Sequence, residues 1–168
     1  MTDIALALRV DEHCHEVVAP LAALERDPTL GFPAAQQPGA AARIGPGGRI
    51  LYFAPGRWLL TAGAREREAD RIERLRRAGA IVIDGRAKWC CIELSGSTAR
   101  AVLSGLLPVE QVLATRGCAA ATLLECQGVL AGSETGLEFW VGRSSAWWLH
   151  ATLTAWLSRR AARCAAGA

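Results

Sequence analysis

The residue types best suited to bind a metal ion lie near the N-terminus, in the run His13-Cys14-His15 with Glu12 and Glu16 on either side. Imidazole nitrogens and thiolates are the ligands that zinc prefers. In a strand, however, His13 and His15 would share one face and Cys14 would point to the other. No second group at ligand spacing supports the first. We therefore expect no metal site, and a polar N-terminal segment in its place.

A second candidate for chemistry is the thiol pair in Trp89-Cys90-Cys91. A nucleophilic cysteine needs a base or a positive charge that lowers the pKa of the thiol. The remaining histidine, His150, has no Asn or Asp signature around it. On a strand, Cys90 and Cys91 would face opposite sides, so at least one belongs to the core. The six cysteines contain no C-x-x-C spacing, and we expect free, buried thiols.

Serines and carboxylates give no catalytic pattern either. Ser95-Gly96-Ser97 lacks the G-x-S-x-G of a nucleophile elbow, and a strand-to-helix turn with a serine N-cap explains it. No spacing pairs two of the carboxylates Asp84, Glu93, Glu125, Glu134 and Glu138. We expect no catalytic, cofactor-binding or metal-binding residue in this chain.

The tryptophans carry more information about function. Trp147 and Trp148 are adjacent on a predicted helix, where neighbours lie about 100° apart. The stripe that includes Leu149 and Leu153 occupies the core side of that helix. One tryptophan of the pair should therefore be exposed or covered by a partner, and both interpretations stay open. As a hypothesis, we assign Trp147, Trp148 and Trp58 to a partner interface.

The elements that position these residues follow from periodicity and turn signals. Strands are predicted at 50–53, 57–61, 80–84, 89–94, 118–125, 129–131 and 137–141, and helices at 64–78, from 95–97 to about 106, and 144–163, with Ser144 as N-cap. The order ββαββα-βββα indicates an α+β fold with a mixed or antiparallel sheet.

The first 47 residues give a different pattern. Pro20, Pro28, Pro33 and Pro38 recur at short intervals, with glycines among them. Such spacing excludes long helices, although a short helix at 17–25 is compatible with it. We predict an irregular Pro/Gly-rich arm over residues 1–47, suited to contact a partner, and a single α+β domain over 48–163.

Composition excludes several classes of protein. The chain has 168 residues and a net charge of +3, and its basic residues form no patch along the sequence, so nucleic acid binding is not expected. No apolar run approaches the roughly 20 residues of a membrane span. The N-terminus lacks the pattern of a signal peptide. We expect a cytoplasmic protein that binds neither nucleic acid nor membrane.

Several segments together resemble one family. Residues 48–60 (GRILYFAPGRWLL), 83–84 (ID), 92–103 (IELSGSTARAVL), 117–119 (GCA), 137–141 (LEFWV) and 143–149 (RSSAWWL) carry the likeness. They are similar, in the same order, to motifs of the gamma subunit of heterotetrameric sarcosine oxidase, such as W-L-L, L-S-G-P-x-A-R and R-S-Y-A. The chain departs from these motifs at Gly56, Arg57, Ser97 and Ser145. The wider group of aminomethyltransferase (glycine-cleavage T protein) folds shares the pattern.

The resemblance implies a folate-binding-like fold and a role inside a larger flavoenzyme that acts on the CH-NH group of secondary amines. Its partners would be the larger alpha and beta subunits and the small delta subunit. Those subunits, and not this chain, would hold FAD, FMN, NAD and tetrahydrofolate. The gamma-like subunit would supply surface and stabilise its partners. Two alternatives stay open, a free-standing tetrahydrofolate-binding protein and a thiol or metal enzyme.

Overall fold

A computed structural model describes residues 4–10, 13–32, 38–44, 48–61, 65–107, 109, 117–133 and 136–166, with the backbone alone at 65–67 and 163–166. The strands are β1 Ala5–Arg9, β2 Cys14–Val18, β3 Ala41–Arg43, β4 Arg49–Ala54, β5 Arg57–Thr61, β6 Ile81–Asp84, β7 Trp89–Ser95, β8 Cys118–Leu123, β9 Cys126–Gly132 and β10 Gly136–Gly142. The helices are α1 Leu21–Glu25, α2 Arg65–Arg77, α3 Ala99–Leu103 and α4 Arg143–Ala166, with a short 3-10 helix at Pro28–Leu30.

The strands form two antiparallel sheets of five. Sheet 1 has the order β1-β7-β10-β9-β8, and sheet 2 has the order β3-β4-β5-β2-β6. The predicted α+β class is therefore confirmed, whereas the expectation of one sheet is corrected to two. The sequence pattern marks where strands run but does not say which strands share hydrogen bonds, because pairing partners lie far apart in the chain.

The two sheets have the same topology. Read from its other edge, sheet 2 is β6-β2-β5-β4-β3, and each position matches the strand at the same position of sheet 1. Along the chain, β2-α1-β3-β4-β5-α2-β6 corresponds to β7-α3-β8-β9-β10-α4. The edge position that β6 holds in sheet 2 is taken in sheet 1 by the N-terminal β1. The chain thus contains two similar units, and the N-terminal strand β1 adds the fifth strand to the sheet of the second unit.

This arrangement overturns the prediction of an irregular arm over residues 1–47. Strand β1 pairs with β7 along its whole length, and β2 lies between β5 and β6. Pro20 and Pro28 are compatible with this because they stand at the start of α1 and of the 3-10 helix, where a missing N–H costs little. The helix predicted at 17–25 begins only at Leu21, and no boundary between an arm and a domain lies at residue 48.

Apolar side chains fill three layers between the elements. The first layer lies between sheet 1 and helices α3 and α4, the second between sheet 2 and helices α1 and α2, and the third between the two sheets. Because strand residues alternate in direction, β7 contributes Cys90 and Ile92 to the helix side and Trp89 and Cys91 to the layer between the sheets.

Candidate interaction surface

Helix α4 covers sheet 1 and leaves one of its own faces uncovered. Ala146, Leu149 and Leu153 are buried against the sheet. Trp147 and Trp148 point away from it, with 64% and 53% of their surfaces exposed. The sequence predicted that one of the two would be exposed, and in fact both are. Because tryptophan is enriched in the cores of protein interfaces, this pair is the strongest candidate for a contact with a partner.

The start of α4 is tied to the turn between β6 and β7. The N–H of Arg143 donates to the carbonyl of Lys88 at 2.8 Å, and its guanidinium donates to the carbonyl of Arg86 at 3.3 Å. The helix begins at Arg143, so Ser144 lies inside it and is not the N-cap. These bonds anchor the helix directly before the tryptophan pair, and the pair is therefore presented on a fixed element.

Trp58, the third residue assigned to the interface, lies in the core. Its side chain is 0% exposed and stacks on Tyr52 with 4.7 Å between the ring centroids. Phe32 meets it edge-on at 5.6 Å. Trp58 follows Arg57 on β5 and points to the layer between sheet 2 and its helices. The assignment of Trp58 to the partner surface is thus corrected, and the surface keeps Trp147 and Trp148.

The structure separates the metal-like residues near the N-terminus. Cys14 is buried between the two sheets, whereas the Nδ1 atom of His15 lies 3.0 Å from the Oε1 atom of Glu68 on α2. Across the part of the chain that the structure describes, no group of three or more His, Cys, Asp or Glu residues could hold a metal ion. The expectation that Cys14 and His15 face opposite sides is confirmed.

Cys90 and Cys91 are both buried, on opposite faces of β7. A guanidinium nitrogen of Arg9 lies 3.2 Å from the sulfur of Cys91. Cys14, Cys118 and Cys126 are also buried, and none of them forms a disulfide with another described residue. Burial raises the pKa of Cys118 to about 11, although its thiol also contacts the carbonyl of Tyr52. Solvent-borne substrates do not reach these thiols, so the thiol-enzyme alternative has no accessible nucleophile among them.

Alkylation tests this arrangement of the cysteines. We expect iodoacetamide at mildly alkaline pH to label at most Cys164, whose side chain lies outside the described residues, while the protein is folded. After denaturation all six cysteines should react, because the reactive species is the exposed thiolate. Intact mass spectrometry counts the labels. Fast labelling of Cys90 or Cys91 in the folded protein would contradict the structure.

The segment Ser95-Gly96-Ser97 links β7 to α3, as expected for a strand-to-helix turn. The N-cap position, however, is Thr98, and its side chain makes no capping hydrogen bond. The prediction of a serine N-cap is therefore wrong, because the threonine after Ser97 occupies that position. Short helices are held mainly by tertiary packing, and Ala99, Val102 and Leu103 of α3 are indeed buried.

Two carboxylates that sequence spacing did not pair are brought together by the sheet. Glu93 on β7 stands directly opposite Glu138 on β10. Arg9 lies 3.1 Å from the Oε1 atom of Glu138 and 3.5 Å from a carboxylate oxygen of Glu93. The other oxygen of Glu138 accepts hydrogen bonds from Arg49 and from the indole N–H of Trp140. This Glu138 cluster joins β1, β4, β7 and β10, and both oxygens of Glu138 are used within the chain.

A second buried carboxylate, Glu16, is 1% exposed. The Nε atom of Arg57 donates to its Oε1 atom at 2.8 Å, and Lys88, the only lysine of the chain, donates to Oε2. Burial alone raises the pKa of Glu16, but the hydrogen bonds and charges of Lys88 and Arg57 outweigh it and hold the pKa below its ordinary value. Glu16 therefore links β2 to β5 and to the turn that leads into β7.

The lowered pKa of Glu16 predicts acid sensitivity. A carboxylate whose pKa is lowered in the folded state stabilises the protein at pH values above its ordinary pKa of 4.5. This stabilisation is lost as the pH falls through the pKa of the folded state. Urea unfolding should show Glu16→Gln to be less stable than the unchanged protein at neutral pH. The difference should shrink in acid. A difference independent of pH would contradict the role of this charge.

One apolar cavity lies between sheet 1 and its helices. Leu6, Ile92, Val102, Leu137 and Trp156 are among its lining residues, and its volume is about 10 Å³. That is the space of about one water molecule. A pterin ring system does not fit there, so this cavity gives no support to a tetrahydrofolate site.

No family model and no curated protein matches the chain. The described helices include none that is long and apolar enough to cross a lipid bilayer. Among solved structures, the fold is similar to a chain of the heterotetrameric sarcosine oxidase from Corynebacterium sp. U-96 in complex with pyrrole 2-carboxylate. The TM-score is 0.68 at 19% sequence identity, over 90% of this chain and 84% of that chain.

Proposed function

We propose that this chain is a non-catalytic small subunit, of the gamma type, in a heteromeric flavin-dependent enzyme that oxidises sarcosine or a related N-methyl amino acid. The observation that carries the proposal is the mutual overlap with the sarcosine oxidase chain, 90% of one and 84% of the other. Overlap this high in both directions means that the two chains have similar lengths. The counterpart is thus a whole small chain, which favours a small subunit over a domain of a large one.

The interior of the chain supports a role without chemistry. Cys90 and Cys91 are buried, and the carboxylates of Glu16 and Glu138 are held by cations of the same chain. The exposed pair Trp147 and Trp148 offers a surface for assembly. FAD, FMN, NAD and tetrahydrofolate would be bound by the larger alpha and beta subunits, with a small delta subunit as the fourth chain. Binding by this subunit would stabilise them through mass action.

A pull-down of the tagged full chain from its native cells tests the proposal. We expect larger subunits in fixed stoichiometry, a visible flavin spectrum and oxidation of an N-methyl amino acid by the eluate. A colourless chain that migrates alone at 17.9 kDa would contradict it. Tetrahydrofolate would then be titrated against the tryptophan fluorescence, since a free-standing folate-binding protein is the alternative.

The tryptophan pair gives the proposal a residue-level test. Trp148→Asp should weaken assembly about 30-fold, the usual cost of losing an interface hot spot, and leave the far-UV circular dichroism unchanged. Size-exclusion chromatography of the mixed subunits measures the bound fraction. The matched control is Ile81→Asp, since Ile81 on β6 is another exposed apolar residue, with 62% of its surface accessible. Loss of binding in the control alone would move the interface to β6.

A further inference from the structure

We infer that the outer face of α4 receives an apolar helix of the partner that carries acidic residues beside the C-terminal half of α4. This outer face consists of Trp147, Trp148, Ala151, Ala155 and Arg159, and each of them is exposed. The inference rests on the proposed function and names the chemistry of the partner that this surface fits.

The shape of the outer face favours close approach by a helix. Going round α4 from Trp147, Ala151 lies at about 40°, Ala155 at about 80° and Trp148 at about 100°. The two alanines therefore form a strip of small side chains whose direction round the helix lies between those of the two tryptophans. Small side chains at a contact allow two helix axes to come near the lower end of the usual interaxial distance, roughly 8–10 Å. The indoles would contact the two sides of a helix that packs on this strip.

The charge of α4 identifies the sign of the partner. Residues 143–166 contain four arginines and no Asp or Glu. Arg159 follows Trp148 by 11 residues, so it lies about 16 Å along the helix and within about 20° of the same line. Arg159 is exposed. Arg160 lies about 220° round the helix from Trp147, in line with the buried Leu149 and Leu153, and stands 5.5 Å from the ring centre of Trp156, so it does not belong to the outer face.

The helix dipole does not explain Arg159. Its effect on charged side chains falls off within the last turn, whereas Arg159 stands seven residues before the final residue Ala166. A second copy of this chain would bring another Arg159 to the contact and no acid from its α4. Opposite charge on the partner speeds association and suppresses wrong pairings. An acidic partner helix is therefore favoured over self-association.

The test uses the complex as it is isolated from the native cells, with its larger subunits separated and remixed with variants of the full chain. Ala155→Leu should abolish close packing and lower affinity about 30-fold without harm to the helix, because both residues are good helix formers. Arg159→Glu should slow association roughly tenfold, with a loss that shrinks at high salt. Ala69→Leu, at an exposed site on α2, is the matched control.

A photo-crosslinking residue at Thr154, exposed beside the outer face, identifies what is contacted. We expect crosslinks to an acidic, apolar helix of a larger subunit. A flavin-bearing complex that tolerates both variants would overturn the inference and leave the proposed function standing. If the partners carry no flavin and both variants lose them, the proposed function would be overturned and the inference about the outer face would stand. Crosslinks to a second copy of the chain, or the absence of any partner, would overturn the inference.

Discussion

Glu138→Ala is expected to lower the free energy of unfolding by about 3–5 kcal/mol, as is usual when one partner of a buried ion pair is removed. Glu138 is 9% exposed, and Arg9, Arg49 and the indole N–H of Trp140 all donate to it. Without the carboxylate, the guanidinium of Arg49 stays between the sheets with its charge uncompensated. Urea unfolding monitored by circular dichroism measures the loss.

The matched control for this variant is Glu93→Gln. Glu93 faces Glu138 across the β7–β10 pair but is more exposed, and its atoms lie farther from Arg9, at 3.5 Å. Its loss should cost less than about 1 kcal/mol, the range of exposed pairs. Equal losses in the two variants would show that Glu138 is not the centre of the cluster. Glu138→Gln should fall between them because it keeps an oxygen acceptor.

Trp58→Ala is expected to destabilise the protein by about 3–5 kcal/mol, the cost of removing a large aromatic side chain from a packed core. Trp58 is 0% exposed and contacts Tyr52 and Phe32. Truncation to alanine would therefore leave a cavity in the core that closes only if these neighbours move. Thermal and urea unfolding would record the loss.

Trp148→Ala serves as the control for Trp58→Ala, since it removes the same side chain from an exposed site. It should change the stability of the isolated chain by no more than about 0.5 kcal/mol, as is typical of surface substitutions. The two tryptophans would then separate stability from assembly. A strongly destabilising Trp148→Ala would contradict the exposure of Trp148, and a neutral Trp58→Ala would contradict the core position of Trp58.

The sequence by itself determined several local elements after residue 48. The hairpin predicted at 50–61 is observed as Arg49–Ala54 and Arg57–Thr61, and α4 begins one residue before its predicted start. The core side of α4, with Leu149 and Leu153, was also predicted and is buried. These features depend on periodicity and on turn residues within about ten positions, which the sequence displays directly.

The tertiary structure alone decided the place of Trp58 and of the N-terminal strands. Trp58 begins a run of three successive apolar residues, Trp58-Leu59-Leu60, so period-two alternation does not say which face of the strand is covered. Strand β1 joins sheet 1 through β7, more than 80 residues away in sequence. Strands of only five residues carry little local signal, and long-range pairing supplies their stability.

The Glu138 cluster shows the same division. Glu93 and Glu138 each interrupt an apolar run, which signals a buried acid in need of a partner. Their position opposite one another follows from the register of β7 against β10, and the supply of Arg9 and Arg49 follows from β1 and β4. Register is set by contacts between distant segments, so only the folded chain could pair these residues.

The exposed tryptophans, by contrast, follow from adjacency on one helix, because two neighbouring positions cannot both join a single buried stripe.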